Sequence, residues 1–242
     1  MTKIATKTVF TIGFLTLLLA VPAFGASINK SLHVDDGEES SGATTVNGSV
    51  TVGTDAIVTG GLRTVNGSIR VGSGSTIKNA NTVNGRLHIG EGVEARNLST
   101  VNGTVVIGEK TSVDGDVSTV NGSIKMEKSV LVAGEVGNVN GKISIRGARV
   151  EGDVKTVNGD VLLRDTVIEG DLRIEEPSMW SSTDKKRKPR VVIGPGSRVG
   201  GKVVIEHEVE LFISESAEVG AVEGVMSRED AKTYSGDEPD SD

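Results

Sequence analysis

Short runs of alternating apolar and polar residues fill most of this sequence, as in Ser68-Ile69-Arg70-Val71 and Arg86-Leu87-His88-Ile89. A period of two is typical of β-strands with one buried face. A second spacing of six lies on top of it, and we expect each position in that series to point inward. The series comprises Val65, Val71, Ile77, Val83, Ile89, Ala95, Val101, Ile107 and Val113.

The tripeptide Val-Asn-Gly recurs seven times, at intervals of 19, 18, 18, 19, 19 and 18 residues. Its asparagines are Asn47, Asn66, Asn84, Asn102, Asn121, Asn140 and Asn158. Threonine precedes six copies, and Asn138 takes its place in the copy at Asn140. Three intervals of six residues add up to the repeat length of 18. This relation predicts an all-β parallel β-solenoid (β-helix) with three-sided coils of 18–19 residues. The pattern leaves the handedness open.

Each Asn-Gly pair is expected at a corner between strands, because both residues tolerate left-handed backbone at low cost. The alternative is an array of antiparallel hairpins, for which Asn-Gly is also a strong signal. A hairpin array needs a second turn signal of similar strength in each unit, and the second half of each unit varies. The sixfold spacing also favours the solenoid.

Segments outside the repeats have different characters. Residues 1–25 resemble a secretory signal peptide, with Lys3 and Lys7 before an apolar run and small residues at a cleavage site after Gly25 or Ala23. An uncleaved membrane anchor is the alternative, but the run is shorter than the ~20 residues that span a bilayer. The remaining predicted segments are a polar leader or cap (26–43), solenoid coils (44–174), a protruding basic loop (175–190), final coils (191–225) and an acidic disordered tail (226–242).

The composition of the chain argues against several classes of partner and site. Loss of residues 1–25 leaves 24 basic and 33 acidic residues, a net charge of −9, which argues against nucleic-acid partners. The absence of cysteine excludes disulfides, thiolate metal sites, a cysteine nucleophile and a lipid anchor on cysteine. Residues 26–177 contain no aromatic ring, which suits a narrow interior of Val, Ile and Leu. We predict no cofactor and no metal site.

Val150-Glu151-Gly152-Asp153-Val154 resembles the coils of bactofilins, which are polymer-forming β-helical scaffold proteins, as does Val167-Ile168-Glu169-Gly170-Asp171-Leu172. The Thr-Val-Asn-Gly units are similar to adhesin-like β-strand repeat families. Together these resemblances cover about residues 44–222 and imply a rigid scaffold that polymerises without nucleotide. Bactofilins are typically cytoplasmic, whereas this chain carries an export signal, so a cytoskeletal role does not transfer directly.

Asparagines in register are expected to form a structural ladder of amides along the solenoid. Glycosylation is the alternative at Asn47, Asn66, Asn102 and Asn121, which lie in Asn-Gly-Ser or Asn-Gly-Thr sequons. Stacked Asp116, Asp153, Asp160 and Asp171 could hold calcium or act as acid and base on a glycan, but interspersed lysines and arginines favour a solvated face. The hexads at 193–200 are also similar to those of hexapeptide acyltransferases, whose cytoplasmic thioester donor an exported chain lacks.

The basic loop stands out on an acidic protein. Its candidate docking residues are Trp180, Lys185, Lys186, Arg187, Lys188 and Arg190. They could contact anionic lipid headgroups, lipopolysaccharide or teichoic polymers, with Trp180 at the interface. The alternative is a soluble insertion without a partner.

These features predict a non-enzymatic extracytoplasmic scaffold or adhesin-like protein of the bacterial envelope. We expect the periplasm as its location, with the cell surface and the extracellular medium as alternatives. Self-association would use the open ends of the solenoid, and envelope lipid or polysaccharide would be further partners. The alternative functions are a monomeric polysaccharide-binding module and a carbohydrate-active β-helix enzyme, which requires a convergent cluster of carboxylates.

Overall fold

The computed structural model describes residues 26–177 and 187–239. The predicted signal peptide lies outside these ranges. The described chain is built from strands and one short 3₁₀ helix, Arg228–Asp230. No helix in this part of the chain is long and apolar enough to span a bilayer.

The strands follow one another in a regular cycle. The first sixteen are β1 (Ala26–Ser27), β2 (Leu32–Val34), β3 (Glu39–Ser40), β4 (Ala43–Thr45), β5 (Val50–Val52), β6 (Ile57–Val58), β7 (Leu62–Asn66), β8 (Ile69–Val71), β9 (Thr76–Ile77), β10 (Asn79–Asn84), β11 (Leu87–Ile89), β12 (Glu94–Ala95), β13 (Asn97–Asn102), β14 (Val105–Ile107), β15 (Ser112–Val113) and β16 (Val117–Asn121). The remainder are β17 (Ile124–Met126), β18 (Leu131–Val132), β19 (Val136–Asn140), β20 (Lys142–Arg146), β21 (Arg149–Val150), β22 (Val154–Thr156), β23 (Asp160–Arg164), β24 (Val167–Ile168), β25 (Leu172–Ile174), β26 (Arg190–Ile193), β27 (Arg198–Val199), β28 (Val203–Ile205), β29 (Glu210–Ser214), β30 (Glu218–Val219), β31 (Val222–Gly224) and β32 (Lys232–Tyr234).

Every third strand belongs to the same sheet, so each coil contributes one strand to each of three parallel sheets. Sheet A runs from β1 through β4 and β7 to β31, sheet B from β2 through β5 and β8 to β32, and sheet C from β3 through β6 and β9 to β30. Sheets A and B have 11 strands and sheet C has 10 within the described residues. Pairing partners such as Leu62 and Ala80 are 18 residues apart, and Ala43 and Leu62 are 19 apart. The predicted three-sided parallel β-solenoid is therefore confirmed.

The interior is a single column of aliphatic side chains. Leu62, Ile69 and Leu87 are fully buried, and Ile77 is nearly so. The same positions in successive coils carry Val, Ile, Leu, Ala and, at Met126, a methionine, from Val34 to Ala217. Burying one such side chain contributes roughly 1.5–3 kcal/mol, so the stack is held together mainly by this column.

The inward series predicted from the sixfold spacing is wrong on one side of each coil. Val71 and Ile77 are buried as expected, but Val65 is half-exposed. Strict alternation along β7 places Leu62 and Thr64 inside and Val65 outside. Thr64 tolerates burial because its hydroxyl donates to the carbonyl oxygen of Gly48, 2.7 Å away in the preceding coil.

The repeat glycines do not provide the left-handed corner that the Asn-Gly pairs predict. Of the seven, Gly141 alone has a positive φ, at 129°. Glycine is needed here because the coils approach closely: a Cβ on Gly103 would lie 1.8 Å from the carbonyl oxygen of Gly85. Left-handed backbone occurs instead in the turns that follow sheet B, for example at Gly74 and Ser129.

Both termini of the described chain form ordered strands. The segment expected as a polar leader or cap (26–43) forms the first coil, in which β1, β2 and β3 pair with β4, β5 and β6. The expected disordered tail (226–242) is structured over its described part: β32 pairs with β29. Met226 and Ala231 pack against the core at this end, which explains why so polar a segment is ordered.

The predicted loop at 175–190 ends earlier than expected. Arg190 begins β26, and its main-chain amide donates to Asp160 Oδ1 at 2.9 Å. Pro189 is buried and accepts a hydrogen bond from the amide of Glu210. Arg190 is therefore part of the solenoid and not of the insertion.

Candidate functional site

The seven repeat asparagines form a continuous ladder where the strands of sheet A end and the chain turns toward sheet B. Each Nδ2 donates to the Oδ1 of the asparagine in the preceding coil, at 2.8–3.1 Å. The ladder begins one coil earlier than predicted, because Asn47 donates to Asn29. Asn29 lies in phase with the repeat, but Lys30 follows it instead of glycine, so it does not belong to a copy of Val-Asn-Gly.

The side-chain amides of the ladder have hydrogen-bonding groups left over for a partner. A primary amide has two N–H donors and two acceptor lone pairs, and the ladder uses one of each. Asn47, Asn66, Asn84, Asn102 and Asn121 are exposed on the outer surface. Each can therefore donate and accept one further hydrogen bond. The ladder also accounts for the four sequon asparagines as structural residues without invoking glycosylation.

A row of half-exposed valines runs beside the ladder: Val46, Val65, Val83, Val101, Val120, Val139 and Val157. With the asparagines and glycines they form what we call the Val-Asn-Gly strip: residues 46–48, 65–67, 83–85, 101–103, 120–122, 139–141 and 157–159. The strip contains no charged residue, although 24% of the chain is charged. Because stacked parallel strands lie about 4.8 Å apart, it repeats the same methyl and amide groups at that interval.

A row of buried threonine hydroxyls supports the strip from inside. Thr82, Thr100 and Thr119 donate to glycine carbonyl oxygens of the preceding coil at 2.9–3.2 Å. These bonds fix the corner from which the valines and asparagines project. Asn138 interrupts the row, because its Nδ2 reaches the carbonyl oxygen of Gly122 at 3.3 Å while its buried Oδ1 has no hydrogen-bond partner among the described residues.

The aspartates considered for calcium binding or catalysis have structural roles. Asp116, Asp153 and Asp171 each accept a hydrogen bond from a main-chain amide of the next coil, at 2.8–2.9 Å. Asp160 accepts from the amide of Arg190 and pairs with Arg187. In residues 26–177 and 187–239 no group of three His, Asp or Glu side chains could hold a metal ion. The candidate carboxylates are therefore explained by turns and ion pairs.

The basic docking residues divide into two groups. Trp180, Lys185 and Lys186 lie outside the described residues. Arg187 pairs with Asp160, and Lys188 Nζ lies 2.7 Å from Glu208 Oε2. The charges of these two residues are thus engaged within the chain.

Sequence reasoning missed a second surface, on the last four strands of sheet B. Arg190 lies over the ring of Phe212, 4.6 Å from its centroid, and Lys232 lies 5.3 Å from the same centroid. Phe212 faces outward but is only 6% exposed. Burial raises the pKa of Tyr234, while the nearby Arg164 opposes this shift. The four residues Arg164, Arg190, Phe212 and Tyr234 come from β23, β26, β29 and β32 and are far apart in sequence.

Comparison with protein-family models, with curated proteins and with solved structures gives no match to this chain. The resemblance to bactofilins and adhesin repeats therefore rests on the repeat motifs alone. The functional argument depends on the geometry of the strip and of the sheet B surface.

Proposed function

We propose that this chain is a non-enzymatic, extracytoplasmic, adhesin-like scaffold of the bacterial envelope that associates through its Val-Asn-Gly strip. The observation that carries the proposal is the strip itself: an uncharged, in-register surface on an otherwise charged solenoid. Eleven stacked strands at about 4.8 Å extend roughly 50 Å, which gives a rigid platform.

The mechanism is multivalent. Each coil offers one valine and one amide, and each such contact is weak. A partner with a matching repeat engages many coils at once, so the effective concentration at every further contact is high. A second copy of this chain has a matching repeat. The net charge of −9 on residues 26–242 makes copies repel one another in general, and the neutral strip is where that repulsion is least.

End-on association is a further element of the proposal. The first coil has no strand before it among the described residues, so the outer edges of β1, β2 and β3 carry backbone groups that can pair with another chain. At the opposite end, Met226 and Ala231 pack against the core. We therefore expect end-on contacts at the N-terminal end, where the sequence alone favoured both ends.

A monomeric polysaccharide-binding module is the second candidate. The spare donor and acceptor on each exposed asparagine favour it, because sugar hydroxyls pair with both groups. Asparagines at the spacing of the coils would bind successive units of a neutral, extended glycan.

Light scattering after size-exclusion chromatography tests the proposal on purified residues 26–242. The test variant is Val83→Glu/Val120→Glu, which places two charges on the strip at half-exposed positions. The matched control is Val106→Glu/Val167→Glu, which adds the same charge at half-exposed valines of sheets B and C. We expect oligomers for the wild type and the control and monomers for the strip variant.

Assembly of the strip variant equal to that of the wild type would refute association through the strip. A wild-type monomer that sediments with cell-wall polysaccharide, and loses this in the strip variant alone, would establish the second candidate instead. Negative-stain microscopy of the same samples distinguishes ordered arrays from amorphous aggregates.

We also propose that the insertion around Trp180 assists contact with anionic envelope polymers or lipids. Deleting residues 178–186 leaves β25 and β26 intact, so the solenoid is expected to fold. The deletion should reduce sedimentation with membranes in a salt-dependent way. Full sedimentation of the deletion variant would exclude docking through this segment.

A further inference from the structure

The acidic C-terminal segment crosses the outer face of sheet B after β32 ends. Arg164 donates to the main-chain oxygen of Asp237, and its guanidinium lies 3.9 Å from the Asp237 carboxylate and 3.7 Å from that of Glu238. Arg190 donates to the main-chain oxygen of Pro239 at 3.3 Å. Residues 235–239, here called the tail segment, thus lie along two arginines that are 26 positions apart in the sequence.

The two arginines differ from the other basic residues of this region. Arg187 and Lys188 have acidic partners within the solenoid. The guanidinium groups of Arg164 and Arg190, in contrast, take their hydrogen-bond and ion-pair partners from the tail segment alone among the described residues. The side chain of Arg164 is only 22% exposed, so its charge is held close to the sheet.

The surrounding groups complete a surface that can recognise anions. The guanidinium carbon of Arg190 lies 4.6 Å from the centroid of the Phe212 ring, and this cation–π contact restrains the position of the guanidinium. The Tyr234 hydroxyl is buried and has no hydrogen-bond partner in the described chain. We call Arg164, Arg190, Phe212 and Tyr234 the arginine surface.

The tail segment is held weakly. The side chains of Asp237 and Glu238 are 89% and 71% exposed, and their ion pairs with Arg164 are long. Exposed pairs of this kind contribute only about 0.2–1 kcal/mol each. A ligand with several anionic groups could therefore displace the segment at little cost.

We propose that the arginine surface is a binding site for an anionic polymer bearing carboxylate or phosphate groups, and that the tail segment occupies it in cis. Guanidinium groups match both anions by paired, charge-assisted hydrogen bonds. The ligand is a polymer and not a bilayer, because Phe212 is covered and no apolar side chain of this surface is free to insert. This proposal does not depend on the scaffold function.

Binding is measured by titrating fluorescently labelled protein with polygalacturonate, a carboxylate polymer, and with inorganic polyphosphate. Removing residues 236–242 should tighten binding of at least one polymer roughly five- to tenfold, because the polymer no longer competes with the tail contacts of Arg164 and Arg190. In that shortened chain, Arg164→Gln/Arg190→Gln should weaken binding by roughly tenfold or more.

The matched control is Arg70→Gln/Arg96→Gln in the same shortened chain, which removes two exposed arginines elsewhere on the solenoid. It should bind like its parent, and circular dichroism should show equal folding of all variants. Which polymer responds identifies the anion. Unchanged binding on removal of the tail, equal losses in test and control variants, or binding to anionic phosphatidylglycerol vesicles without binding to either polymer would each overturn the proposal.

Discussion

Two separate substitutions in one repeat, Thr100→Val and Val101→Thr, test which of the two side chains is buried beneath the strip. Thr100 is fully buried, and its hydroxyl donates to the Gly85 carbonyl at 3.1 Å. In Thr100→Val a methyl group replaces the hydroxyl at that distance, so the hydrogen bond is lost and the carbonyl must move away. Loss of one buried hydrogen bond of this kind costs about 1–2 kcal/mol. The neighbouring Val101 is half-exposed, so Val101→Thr should change stability by less than about 0.5 kcal/mol.

Urea denaturation followed by circular dichroism measures both variants. With a slope of about 3 kcal/mol per molar urea, Thr100→Val should lower the midpoint by about 0.3–0.7 M and Val101→Thr by less than about 0.2 M. The spacing of six between aliphatic residues predicts the opposite result, because it places the Val101 side chain inside the solenoid. A larger loss in Val101→Thr than in Thr100→Val would therefore refute the orientation described here.

Four other substitutions test three separate features by the same denaturation assay. Gly103→Ala should cost about 3 kcal/mol or more, because its Cβ would lie 1.8 Å from a backbone oxygen; Gly92→Ala, with open space but a φ of +66°, should cost only about 1 kcal/mol. Asn138→Thr should gain about 1 kcal/mol, because it removes a buried acceptor to which the described residues offer no hydrogen-bond donor; no gain would argue against that defect. Ser129→Gly should gain about 1 kcal/mol by relieving left-handed backbone at φ 60°, and a loss would contradict the assigned strain.

The sequence predicts the coils well because their information is local and repeated. A step of 18 or 19 residues places Asn66, Asn84 and Asn102 in register, and the amide ladder follows from that register. Strand alternation also places His88 outside and Leu87 inside, as the structure has them.

The failures arise where a residue's partner lies in another coil. A buried threonine looks polar and exposed in the sequence, because the carbonyl that satisfies it is 15 residues away in the case of Thr82. The repeat glycines look like turn residues because the oxygen they approach belongs to the coil before them. The sequence pattern does not contain the distances between atoms of neighbouring coils.

The second surface is still harder to predict. Arg164 and Asp237 are 73 residues apart and meet only because the chain returns across sheet B after its last coil. An acidic, nearly aliphatic-free terminus reads as disorder by composition. Met226 and Ala231 supply just enough apolar contact to direct that terminus back over the sheet.

The absence of cysteine permits the most direct test of association through the strip. A single cysteine at Val101 lies on the strip, and a single cysteine at Val106 lies at a half-exposed position of sheet B. Oxidation of residues 26–242 followed by non-reducing electrophoresis measures which face meets a second copy. Association through the strip predicts disulfide-linked dimers for Val101→Cys and monomers for Val106→Cys. Equal cross-linking of the two variants, or none for Val101→Cys, would contradict it.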